Sequence, residues 1–310
     1  MDMIKAALKS LGYPERDCYE LTASPHRFPD GAHYRNEVAG IENFQVLEAM
    51  VDEAEKRQVP IHRIIATVGG ATLLTDAELK DMAQLAAAKN IEVIITPCTS
   101  RGWDSGRQIT TPEGIVSGMR IRGVDNMYYV LKCVERSLEA GFKGFLVTDE
   151  GLLTVLGEMR AKGYIPQDVI FKVSVFAGHG TPASAKLLQK LGADTFNPLA
   201  DLTLPMLAAI RSAVNLPMDV YLALVDGMGG FYRFSEAAEI AKICAPVYFK
   251  FEPGKSEGDI YKTWVDTGYK AYLAREKVRQ VQAVSDWIKR LAPELVCSAQ
   301  AVAGLSIPKA

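Results

Sequence analysis

Cysteine and histidine are scarce: five and four among 310 residues. Cys18, Cys98, Cys133, Cys244 and Cys297 are scattered with no CxxC pair. That spacing argues against a disulfide framework or a structural zinc site and fits a reducing, cytoplasmic setting. No HxH or HExxH spacing joins His26, His33, His62 and His179. No apolar run reaches the ~18 residues of a membrane span, and the opening MDMIKAALKSLGYPERD reads as a short amphipathic helix, not a signal peptide. Charge of one sign is not in excess either. Thirty-five basic residues face thirty-seven acidic ones, net −2, so neither nucleic acid nor an anionic membrane is expected as a partner.

What the chain has is a rhythm of eight β-like runs, each followed by a helix-like run. The runs are CYELTAS (18–24), HRIIATVGG (62–70), EVIITPCTS (92–100), GFLVTDEG (144–151), IFKVSVFAG (170–178), DTFNPLAD (194–201), DVYLALVDG (219–227) and VYFKFEPG (247–254). Parallel strands need helical crossovers, and right-handed crossovers repeated eight times close a (β/α)8 TIM barrel. One barrel of residues 16–259 is expected, with covering helices over 260–293 and a loosely held tail over 294–310. Thr75 with Glu78 spells a capping box, and Thr181-Pro182 opens a helix that Gly192 ends.

In such barrels chemistry sits at the C-terminal strand ends and the loops beyond them. Two connections are longer than packing requires. Residues 24–40 hold His26 and His33. Residues 100–123 hold Arg101, Trp103, Arg107, Arg120 and Arg122. Both read as lids, the second inserted after strand three. The arginines offer forks for a carboxylate or phosphate. Glycines in VGG (68–70) and GMGG (227–230) offer backbone amides to an anion, without a nucleotide-binding spacing.

Strand alternation separates inward from outward residues. Strand eight turns Tyr248, Lys250 and Glu252 inward, strand five Lys172 and Ser174, and strand one Glu20, Thr22 and Ser24. Strands two, six and seven contribute Arg63 with Thr67, Asn197 and Tyr221. Strand four offers either Asp149 or Thr148 with Glu150. So much interior charge is unusual, because barrel interiors favour Val, Ile and Leu. It reads either as a self-neutralising ion network or as catalytic machinery with shifted pKa values.

In the catalytic reading, Glu20, Asp149, His179 and Glu252 are acid, base or ligands of a divalent metal. Lys172 or Lys250 stabilises negative charge. His26, Arg63, Arg101, Trp103, Arg107, Asn197 and Tyr221 contact substrate. The expected activity is that of a hydrolase or lyase on a small carboxylate- or phosphate-bearing metabolite. Two alternatives stand beside it: a Schiff-base lyase using Lys172 or Lys250, and a non-catalytic accessory barrel. Trp264 and Trp287 on the covering helices mark a candidate homo-oligomer surface.

Residues 143–252 carry a further signal: KGFLVTDEGLL, KVSVFAGHGTPASAKLLQKLGADTFNPLADLTLPMLAAIRSAV, PMDVYLALVDGMGGFYRF and APVYFKF. This stretch resembles the collagenase-like U32 peptidases, with Asp149 and Gly151, Leu191 and Gly192, and residues 201–210 in the family's motif positions. The resemblance implies a TIM-type barrel. Some members of that family hold an iron–sulfur cluster on four clustered cysteines. This chain lacks that set, so no cluster is expected and the peptidase label falls on no residue.

Overall fold

A computed structural model describes residues 2–97 and 120–309. Eight parallel strands close in sequence order: β1 (Tyr34–Ile41), β2 (Arg63–Ala66), β3 (Glu92–Ile95), β4 (Gly144–Val147), β5 (Ile170–Val173), β6 (Thr195–Phe196), β7 (Met218–Ala223) and β8 (Val247–Phe251). β8 returns to β1 with Tyr34 opposite Val247 and Glu37 opposite Lys250. The chain is a (β/α)8 barrel, as the rhythm of runs implies.

Around the sheet lie α1 (Met3–Ser10), α2 (Phe44–Arg57), α3 (Asp76–Ala88), α4 (Gly123–Glu139), α5 (Glu150–Ala161), α6 (Pro182–Leu191), α7 (Leu204–Arg211), α8 (Ala237–Cys244), the single turn α9 (Glu257–Ile260) and α10 (Thr267–Leu291). Their boundaries follow local chemistry. Thr75 and Glu78 form the reciprocal capping box of α3, and Thr181 caps α6 with Pro182 in its first turn and left-handed Gly192 at its end. Val247, Phe249, Phe251, Phe171 and Val173 pack outward against the helices, so Tyr248, Lys250 and Lys172 point into the barrel.

One strand differs from the sequence reading. Residues 18–24 form no strand, and β1 is YRNEVAGI, inside the segment expected to be a lid. All eight of its residues are buried. Its inner face carries Arg35 and Glu37, and its outer Asn36 donates to the Pro60 carbonyl (3.0 Å). Polar residues on both faces disguise a fully buried strand as a loop. Residues 24–33 therefore precede the barrel on its N-terminal side, where Ser24 Oγ donates to the Ala245 carbonyl (2.5 Å) and Ser24 N to the Lys242 carbonyl (2.9 Å).

The tail is not loose. Cys297 bridges to Tyr34, and Arg35 donates to Ser298 Oγ (3.0 Å) and the Ala303 carbonyl (3.3 Å). Gln300 pairs with both backbone groups of Ile61, Ser306 N donates to Glu92 Oε2 (2.8 Å), and Lys309 N donates to the Gly141 carbonyl (2.8 Å). Residues 296–309 thus cross the N-terminal mouth from β1 to β4 and satisfy charges that point down from the strands.

His62 sits in this seal. Its Nδ1 accepts from Asn36 N (3.0 Å), so Nε2 carries the hydrogen given to the Ser298 carbonyl (3.0 Å). Protonation would keep the Nε2 bond but turn Nδ1 from acceptor into donor against Asn36 N, so the pair of bonds holds only for the neutral ring. Burial draws its pKa down from 6.5 to about 4. Between those values the unfolded chain binds a proton that the folded chain refuses, so stability falls as pH drops from 6.5 toward 4. The expected contribution is about 3 kcal/mol. Urea melts at pH 7 and pH 4.5 should show it, with His62→Gln flattening the difference; an unchanged difference in the variant refutes the assignment.

Candidate active site at the C-terminal mouth

The barrel interior holds an ion layer. Lys172 Nζ lies 2.6 Å from Asp219 and 3.1 Å from Glu37, and none of the three is exposed. Arg63 reaches Asp219 (2.9 Å), Glu37 (3.4 Å) and Glu92, and its guanidinium stacks 3.5 Å from the Tyr248 ring centre. Burial raises the Glu37 carboxyl, but Lys172, Arg63 and Lys250 together hold it below its ordinary value. Burial wins at Asp219, whose pKa is raised despite Lys172, and at Lys172, whose pKa is lowered despite two carboxylates. Asp219 also accepts from Thr195 Oγ1 (2.7 Å). Lys172 and Arg63 thus face three carboxylates, Glu37, Asp219 and Glu92, beneath an apolar layer that includes Ala39, Ile65, Ile94 and Leu146, and Lys250 adds a third positive charge from above.

Above that layer lies a second polar cluster. Glu252, just past β8, accepts hydrogen bonds from Tyr221 (2.8 Å) and Tyr261 (2.5 Å). Lys250 Nζ stands 3.6 Å from the same carboxylate and donates to Asn197 Oδ1 (3.2 Å). Asn197 is fixed in turn by donating to the Asp219 carbonyl (2.7 Å). Burial and the Glu252 charge push the Tyr261 phenol well above its ordinary value, so it keeps its proton. Tyr261 and Ile260 descend from α9 over the mouth and pack into the interior apolar layer. Gly69 makes room for this cover, since a Cβ there would stand 2.2 Å from the Tyr261 carbonyl oxygen.

Two further features mark this end. Thr67, at the end of β2, holds a left-handed φ of 53°, a conformation that costs a β-branched residue about 1–3 kcal/mol. Its hydroxyl donates to the Thr96 carbonyl (3.1 Å). Glu42 accepts from Val68 N (3.0 Å) and Gly69 N (3.2 Å). The amides of the VGG turn are therefore spent on this chain's own carboxylate. Burial raises Glu42 to about 8 in spite of them.

At the rim, His179 Nε2 stands 2.6 Å from Glu150 Oε1, and Arg120 pairs with the same carboxylate. Arg120 also donates to the Ala177 carbonyl (3.2 Å). Burial would raise Glu150, but the Arg120 hydrogen bonds, with the Arg120 and His179 charges, hold it below its ordinary value. Leu146 faces inward with the apolar layer, which selects the register with Thr148 and Glu150. Asp149 instead caps α5, accepting from Leu152 N (3.0 Å).

Lys250, Glu252, Asn197 and Tyr221 thus come together, and Lys172 and Arg63 lie below them. Other residues singled out in the sequence do not join. Glu20 is exposed and pairs with Arg16 (2.6 Å), and Glu37 occupies the strand-one position assigned to it. His26 lies on the N-terminal side, where its amide donates to Ser24 Oγ (3.2 Å). Arg101, Trp103 and Arg107 lie outside the described residues. The proposed metal ligands Glu20, Asp149, His179 and Glu252 do not converge, and among the described residues no group of three His, Cys, Asp or Glu side chains is placed to share an ion. Glu37, Glu92 and Asp219 were missed, although Asp219 and Glu92 alternate in step with the inward Tyr221 and Ile94. Tyr261 and Glu42 gave no strand-based signal.

An apolar cleft of ≈ 400 Å³ lies at the opposite end, between Val51, Val59, Ile61 and Ala299. Of its polar lining, Gln300 is bonded to Ile61 in both directions and Lys89 pairs with Glu55 (2.5 Å). No helix among the described residues is long and apolar enough to cross a membrane.

No family model matches the sequence, and neither does any curated protein. Solved structures with a similar shape include a U32 peptidase (TM-score 0.46, 16% identity, covering 74% of this chain and 97% of that one). Others are 2,3-dimethylmalate lyase, a member of the PEP mutase/isocitrate lyase superfamily (0.44, 13%, 86% and 88%), and D-psicose 3-epimerase from Clostridium cellulolyticum H10 (0.46, 12%, 81% and 99%). Likeness at this level carries no reaction from any of them to this chain.

Proposed function

We infer that this chain is an enzyme that acts by acid–base chemistry on a small carboxylate- or phosphate-bearing metabolite, as a hydrolase or lyase. The observation that carries this reading is the buried Glu252 carboxylate, held by two tyrosine hydroxyls beside Lys250 at the C-terminal mouth. Glu252 takes or returns the substrate proton, Tyr221 and Tyr261 orient it, and the Lys250 ammonium offsets negative charge that develops on substrate. The His179–Glu150 pair supplies a second proton carrier at the rim. Kinship with the U32 peptidases rests on the motifs of residues 143–252 and assigns no step.

The test begins with thermal shifts against two- to six-carbon carboxylates and sugar phosphates. Stabilisation by members of one class is expected, with Lys250→Met weakening it at least ~10-fold. Turnover of the best ligand's class should fall ~10²–10⁴-fold in Glu252→Gln. Failure of every small anion to stabilise the protein overturns the reading. The exposure of Trp264 (71%) and Trp287 (46%) favours, as a second reading, a surface that pairs with another copy.

A further inference from the structure

A lysine enters the same mouth from outside the barrel. Lys277 belongs to α10, within the buried stripe of Leu273, Ala274, Val278 and Val281, yet its ammonium is not at the surface. It passes through the sheet at a bulge in β1, where the register slips between Ala39 and Ile41. Gly40 creates the opening. It has a left-handed φ of 74°, and a Cβ there would stand 2.9 Å from Lys277 Nζ, 3.6 Å from Ile260 and 3.9 Å from the Tyr261 ring. The amine donates to the Ala39 carbonyl (2.5 Å), and among the described residues no carboxylate lies in ion-pair contact with it. A buried lysine kept for stability would be expected to hold a carboxylate, as Lys172 holds two.

We propose that Lys277 is an imine-forming nucleophile that condenses with the carbonyl carbon of a small aldehyde or 2-keto acid admitted to the C-terminal mouth. This rests on the acid–base reading above and names its substrate class. A neutral amine is required, and burial, opposed by Glu252 and Glu42 and aided by the Lys250 charge, lowers the Lys277 pKa to about 8. The Nζ lone pair attacks the carbonyl carbon, both amine hydrogens depart with the carbonyl oxygen as water, and a proton on the imine nitrogen gives the iminium. Glu42, with its pKa raised to about 8, carries a proton at neutral pH for that last transfer. The iminium draws electrons from the adjacent bond, and Glu252 receives the proton released there. Ile260 and Tyr261 cover the amine and must lift to admit the carbonyl.

The full-length protein is incubated at pH 8 with glyoxylate and cyanoborohydride, which delivers hydride to the iminium and leaves a carboxymethyl-lysine. Peptide mapping then gives the labelling rate of each lysine. Lys277 should label at least ~10-fold faster than exposed Lys5 and Lys56, because a lysine of lowered pKa has far more free base at that pH. Lys277→Met should abolish the fast phase and leave the surface lysines unchanged. Labelling of Lys277 no faster than Lys5, or a fast phase at Lys250 or Lys172, overturns the proposal. Anion binding is read separately by thermal shift. Loss of the imine with anion binding intact removes only Lys277, and trapping without any anion stabilisation removes the parent reading.

Discussion

Replacing Lys172 by Met should destabilise the protein by about 3–5 kcal/mol, the range for removing one partner from a buried ion network. The side chains are close in volume, so packing is nearly preserved and the loss is electrostatic. Among the described residues, Glu37 and Asp219, both fully buried, would then keep Arg63 as their ion-pair contact, which already serves Glu92, with Thr195 still donating to Asp219 and Lys250 acting on Glu37 from farther off. Among the described residues Glu37 Oε1 has no hydrogen-bond partner even in the native network, so none of them is in place as a reserve donor. The pH dependence identifies the cause. Without Lys172 the folded-state pKa of Glu37 rises above its unfolded value and that of Asp219, already raised, rises further, so the folded chain binds more protons. Stability of the variant therefore falls as pH rises through that window, and its deficit is larger at pH 7 than at pH 5. Urea melts at the two pH values measure this, and a deficit that is small or independent of pH refutes the network. Adding Glu37→Gln and Asp219→Asn should recover much of the loss, since neutral amides do not leave a charge uncompensated.

The same network explains which parts of the molecule the sequence disclosed. Strands β2 to β8 were legible because their outward residues, such as Phe171, Val173, Phe249 and Phe251, make apolar alternation visible. β1 was not, because Arg35, Asn36 and Glu37 satisfy one another's neighbours only after the barrel has closed. CYELTAS, with a better local pattern, took its place and carried Glu20 into the candidate site. Local propensity cannot see a partner 135 residues away, and Glu37 depends on Lys172. Asp149 was drawn toward the site by its strand-end position. The choice between strand face and helix cap turned on one residue of register, which Leu146 decides from the inside.

The mouth was legible only where strands supply it. Lys250, Glu252, Asn197 and Tyr221 follow from alternation, whereas Tyr261 and Lys277 arrive from elements beyond β8. Lys277 did leave a trace: it falls on the apolar face of α10 between Ala274 and Val281, where a solvated lysine would not belong. The VGG turn shows the opposite error. Its free amides suggested a phosphate, and the fold had already given them Glu42.

Deleting residues 296–310 should be the most damaging change of all, against the ordinary expectation that chain ends tolerate removal. Burial and hydrogen bonding of the affected backbone, not sequence position, decide this case. Arg35 would lose Ser298 and Ala303, His62 would lose the Ser298 carbonyl, and Glu92 would lose the Ser306 amide. Arg35 keeps Tyr248 and Glu92 keeps Arg63, yet each partner lost from a buried group costs about 1–3 kcal/mol, and together the losses approach the whole stability of an ordinary domain. The truncated chain is expected to be insoluble or to melt at least roughly 15 °C lower. Ser298→Ala isolates one part of the effect. It removes the acceptor for Arg35 Nε while leaving the carbonyl that His62 uses, and should cost about 1–3 kcal/mol. A synthetic peptide of residues 295–310 added in trans should raise the melting temperature of any soluble truncated chain, because the groups it must satisfy are displayed across one face. Truncation that shifts the melting temperature by less than about 2 °C would show that water serves Arg35, His62 and Glu92 as well as the tail does.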